Sequence, residues 1–68
     1  MSVAYKIREF RKKAGLTQAE LAIIAGVSRT IISGLESGTT TVTSTATLLK
    51  LAKALNVTID ELFFKEVV

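Results

Sequence analysis

The 68 residues include no cysteine, histidine, tryptophan or proline. Without thiols there is neither a disulfide nor a thiolate metal centre to staple the fold. Without histidine or cysteine, and with only six acidic side chains spread over helix starts and helix faces, no nucleophile–base pair or metal cluster can be assembled on paper. An enzyme, a bound metal and a cofactor are therefore not expected. Also missing is any apolar run near the ~20 residues that span a bilayer, or a charged-then-apolar start with a cleavage site. A soluble, cytoplasmic protein with no membrane partner is the expectation.

What is present fits one small domain. A chain of this length buries only about 60% of its unfolded surface, so it must form a compact helical unit. A hydrophobic content of 49% argues against disorder. The net charge of +3 is unevenly placed. Residues 1–34 carry six basic and two acidic side chains, and residues 35–68 carry three basic and four acidic. A basic half points toward a polyanion, although a solvated face has the same composition. The order of the helices has to decide between them.

Val3, Ile7, Phe10 and Ala14 recur at spacings of four, three and four, which predicts a first helix over 3–14, stopped by Gly15. Thr17-Gln18-Ala19-Glu20 is a capping box, so a second helix is expected over about 18–25. Gly26 breaks it after two turns, and Ser28 is an N-cap candidate for a third helix ending at Ser37-Gly38. Two short helices joined by about three residues can cross steeply but cannot lie side by side. Val27, Ile31, Ile32 and Leu35 then meet Leu21, Ala22 and Ala25. Residues 37–47 hold six threonines in eleven positions and read as a loop. A fourth helix is predicted over about 45–55, with Leu48, Leu51, Ala52 and Leu55 on one face and Asn56 as its stop. Thr58-Ile59-Asp60-Glu61 is a second capping box opening a fifth helix.

Leu16-Thr17-Gln18-Ala19-Glu20-Leu21-Ala22, then Ala25-Gly26-Val27-Ser28-Arg29, Ile32-Ser33, Leu35-Glu36 and Gly38, resembles the helix-turn-helix of the lambdoid phage repressor and Cro family. The segment from Leu48 to Val57, with Asp60-Glu61-Leu62-Phe63, is similar to the last two helices of the same domain. The resemblance covers about residues 4–64. It implies an all-α, compact five-helix repressor-like domain, with the second and third helices as the motif, that regulates transcription from a duplex-DNA operator. The string from Arg29 to Glu36 also resembles controller proteins of restriction–modification systems, in which an aromatic often stands where Ile31 does.

A helix in the B-DNA major groove presents its first turns to base edges while the preceding helix lies across the backbone. Arg29 and Thr30 then face bases or phosphates, and Arg29 is the first candidate for guanine because its guanidinium reaches both O6 and N7. Ser33, one turn from Thr30, reaches a base or phosphate or is simply solvated. The resemblance assigns Gln18 to a phosphate at the start of the second helix and to bracing the recognition helix. Ser28 touches phosphate or only caps. Thr39 and Thr40 offer uncharged donors after Gly38, and Ile31 meets a thymine methyl or packs in the core. Of Arg8, Arg11, Lys12 and Lys13, at most one or two are expected to approach the duplex. Gly34 occupies a position where relatives often carry a polar or basic side chain.

A single domain of this kind makes few base contacts, so a homodimer on a symmetric operator is expected. Two phenylalanines and two valines close to the C-terminus exceed what so small a core accommodates, which places the dimer interface in residues 58–68, at Phe63, Phe64 and Val67. The rival reading is an antitoxin-like protein-interaction module that covers a protein partner with Ile23, Ile24 and the C-terminal valines.

Overall fold

The computed structural model describes the backbone of residues 3–39 and 43–65 and the side chains of 5–39 and 43–62. The elements run β1 (Val3–Tyr5), α1 (Ile7–Lys13), α2 (Gln18–Ala25), α3 (Arg29–Ser37), α4 (Thr45–Leu55), α5 (Ile59–Leu62) and β2 (Phe63–Lys65). The five expected helices are present in the expected order. Their boundaries follow from the caps. Thr17 Oγ1 accepts from the Glu20 N–H at 3.1 Å and Glu20 Oε1 accepts from the Thr17 N–H at 2.8 Å. The same reciprocal pair joins Thr58 and Glu61, at 3.2 and 2.9 Å. Ser44 caps α4 through the Thr47 N–H at 3.1 Å.

The turn between α2 and α3 depends on Gly26, whose φ of 68° lies in the left-handed region. Its N–H and that of Val27 both return to the Ala22 carbonyl, at 2.9 and 3.1 Å. A side chain at this φ would cost about 1–2 kcal/mol, so glycine is what lets α3 leave α2 after two turns. Asn56 stops α4 in the same conformation, at φ 59°.

The two ends depart from the sequence reading. The first helix starts at Ile7 rather than Val3, because Val3, Ala4 and Tyr5 pair antiparallel with Lys65, Phe64 and Phe63. Lys6 extends the pairing by donating its N–H to the Leu62 carbonyl at 2.7 Å. The observed N-cap position of α1, Lys6, supplies no side-chain cap. Val and Tyr favour extended backbone once a partner strand is at hand. The fifth helix correspondingly ends at Leu62, and Phe63 begins the strand.

Every helix contributes to one core. Ile7, Leu21, Ile32, Leu51 and Leu62 are fully buried, and Leu35, Ala52 and Leu55 nearly so. Each large aliphatic side chain taken from water there contributes about 1.5–3 kcal/mol. α2 packs on α3 and α4, α1 on α3 and α4, and α5 on α4. Leu62 is therefore an internal residue and not a surface for a partner. Among the described residues no helix is long and apolar enough to cross a membrane.

Candidate nucleic-acid interface

The exposed face of α3 and the first turn of α2 enclose an open concavity of about 430 Å³, lined by Gln18, Arg29, Thr30, Ser33, Gly34 and Thr39. Five of these are sequence-predicted site residues, drawn from three separate segments. The amphipathic character of α3 produces the arrangement. Ile32 and Leu35 point into the core, which turns Arg29, Thr30, Ser33 and Ser37 to solvent. Arg29 makes no hydrogen bond or ion pair among the described residues, so its fork of donors is uncommitted.

The remaining candidates are placed differently. Ser28 accepts from the Thr30 N–H at 3.1 Å and so begins α3, while staying exposed beside Arg29. Ile31 is half-buried and packs against the core rather than lining the concavity. Thr39 lines it, but its hydroxyl lies 3.0 Å from Ser37 Oγ and 3.4 Å from the Gly34 carbonyl, so it closes the end of α3. Thr40 and Val67 lie outside the described residues, as do the side chains of Phe63 and Phe64. The backbones of Phe63 and Phe64 pair with β1.

Behind the concavity lies a junction that the sequence reading missed. The Glu36 side chain is fully covered, at 0% exposure, and the partnering Arg11 side chain is 12% exposed. Arg11 grips the carboxylate with both arms, Nε to Oε2 at 2.7 Å and Nη2 to Oε1 at 3.0 Å, and donates Nη1 to the Leu16 carbonyl at 2.8 Å. Gln18 Nε2 donates to Glu36 Oε1 at 3.0 Å, and the more exposed Arg8 reaches the same oxygen at 3.5 Å. One carboxylate therefore ties α1, the α1–α2 connection and the head of α2 to α3. Through its bond to this carboxylate Gln18 joins the head of α2 to α3. A lone glutamate whose partners stand 25 and 18 residues away leaves no local pattern in a sequence.

Burial alone would push the Glu36 carboxyl up. The hydrogen bonds from Arg11 and Gln18, the Arg11 charge and the contact from Arg8 outweigh it and hold the group below the ordinary glutamate range. The Arg11 guanidinium is raised in turn, chiefly by its hydrogen bond to Glu36. A carboxyl depressed in the folded state stabilises the fold fully above its unfolded value, about 4.3, and the contribution is lost as pH falls through the lower folded value. Thermal melts from pH 7 to pH 3 should therefore show the gap between the wild type and Glu36→Gln narrowing with acid. A gap constant over that range would mean the junction carries no net charge coupling.

The other helix-1 cations are distributed as a solvated face would have them. Lys13 Nζ sits 5.6 Å from the Phe10 ring centroid and Lys12 is exposed. Away from the concavity, Ile23 is 81% and Ile24 58% exposed on α2, so neither enlarges the core.

Residues 7–62 match the helix-turn-helix family. An uncharacterized HTH-type transcriptional regulator of Archaeoglobus fulgidus is 45% identical over 58 residues, spanning 85% of this chain and 81% of that protein. The restriction-modification controller protein C.AhdI of Aeromonas hydrophila is 38% identical and superposes with a TM-score of 0.76 over 82% of this chain and 83% of its own. The master regulator for biofilm formation SinR, solved in complex with DNA, is 33% identical with a TM-score of 0.79 over 81% of this chain and 87% of its own. The concavity between α2 and α3 thus sits on a fold shared, at substantial identity, with proteins of that description, and the chain belongs to the helix-turn-helix family of DNA-binding transcriptional regulators.

Proposed function

We propose that the protein binds an operator in duplex DNA as a homodimer, with the exposed face of α3 in the major groove and the head of α2 against the phosphate backbone. The observation that carries this reading is the convergence of Gln18, Arg29, Thr30, Ser33, Gly34 and Thr39 on one open concavity. Arg29 reads a base edge, Thr30 and Ser33 supply hydroxyls beside it, and Ser28 lies at the nearest phosphate. Gln18 holds Glu36 with one amide hydrogen and offers the other to phosphate at the positive end of α2. Thr39 and Thr40 flank the backbone beyond α3.

Dimerisation through Phe63, Phe64 and Val67 sets two recognition helices about one helical turn, ~34 Å, apart. Such a protein acts in the cytoplasm by blocking or recruiting polymerase at the operator.

Selection of bound sequences from random duplexes, followed by a salt titration on the winner, tests this reading. It expects a two-half-site motif and an affinity whose logarithm falls by about 0.9 per contacted phosphate for each tenfold rise in salt. The exposed Ile23 and Ile24 favour one other reading, an antitoxin-like module that covers a protein partner. Absence of any enriched motif, together with salt-insensitive capture of one protein that Ile23→Ser abolishes, would establish that reading instead.

A further inference from the structure

Gly34 lies inside α3, where glycine is the costliest ordinary residue. It is not one of the glycines at positive φ, so its backbone is open to any L residue. Its carbonyl accepts from Ser37 Oγ at 3.2 Å and Thr39 Oγ1 at 3.4 Å, which any residue's carbonyl would do equally. The core side of the helix is filled by its neighbours Ile32 and Leu35. What glycine contributes is a missing side chain on the wall of the concavity, one turn beyond Thr30 and next to Ser33.

We propose that Gly34 is a specificity-determining residue that works by omission. The base pair opposite it seats directly on the α3 backbone, closer than a Cβ would allow, and is selected by fit rather than by a hydrogen bond. The close approach also carries Arg29, Thr30 and Ser33 deeper into the groove, so a side chain at 34 lifts all three. This inference rests on the proposed binding of duplex DNA by α3 and extends it to how one base pair is chosen.

Gly34→Ala separates this role from a structural one because the two move in opposite directions. A helix-interior alanine in place of glycine raises the thermal midpoint of a domain this size by about 4–8 °C. Affinity for the operator selected by the wild type is expected to fall at least tenfold, and a fresh selection with the variant to change its preference at one position in each half-site. Unchanged affinity and preference in a folded variant would overturn the proposal. So would a lowered midpoint, which would show that the glycine serves the protein's own packing. If the wild type itself enriches no duplex, the reading beneath fails as well. Wild-type binding with an indifferent Gly34→Ala removes this inference alone.

Discussion

Replacing Glu36 with alanine is expected to cost about 3 kcal/mol and to lower the thermal midpoint by about 12–24 °C. The charge of Arg11 lies under almost complete cover, and without the carboxylate its remaining hydrogen-bond partner among the described residues is the Leu16 carbonyl. Gln18 loses its acceptor at the same time. Domains of this size are held by only about 3–10 kcal/mol, so the loss is a large part of the whole. Arg8 provides the contrast. It is 58% exposed and 3.5 Å from the carboxylate, so Arg8→Ala should cost under about 0.5 kcal/mol. The double variant Arg11→Met with Glu36→Leu should recover most of the midpoint, since a buried ion pair exchanged whole for apolar side chains is near neutral. It should not recover operator affinity, because Gln18 remains unanchored. Circular-dichroism melts and operator titrations on the four proteins check both halves. A midpoint shift under about 4 °C for Glu36→Ala would show the junction behaving as an ordinary surface pair.

The parts of this structure that sequence reading reached are those written in local, chemically asymmetric signals. Thr17-x-x-Glu20 and Thr58-x-x-Glu61 each satisfy two orphan N–H groups by reciprocity, so the spacing itself defines a helix start. Gly26 and Asn56 mark helix ends by their left-handed backbone. Between those limits the apolar period of α3 leaves one direction for Arg29, Thr30 and Ser33, and the concavity follows from it. The strand pair was out of reach for the opposite reason. Val3–Tyr5 and Phe63–Lys65 are three-residue runs whose extended form exists only because the two chain ends meet, and an apolar period carried through Val3 reads as helix until that partner is known. Glu36 was hidden similarly. Its cover comes from three elements, whereas a single charged residue near a helix end is solvated by default. Ile31 stands at the edge of that apolar stripe, half-buried against the core.

Arg29→Ala is expected to weaken binding to the selected operator by about 1–3 kcal/mol for each half-site, the worth of a bidentate contact with guanine. A homodimer makes that contact twice, so the measured loss should lie between about 30-fold and more than 10,000-fold, and its size reports the number of half-sites engaged. Stability should not change, since Arg29 has no partner among the described residues to lose. Arg29→Lys distinguishes what is touched. Lysine keeps the charge but loses the planar fork, so a base contact requires Lys to lose both affinity and the preference for guanine at one position. If Arg29 instead meets only phosphate, Lys retains both, and Ala weakens all sequences alike while reducing the salt slope by about one unit per half-site. Equal binding by all three proteins, on every sequence, would take Arg29 out of the interface and with it the assignment of the α3 amino terminus to the major groove.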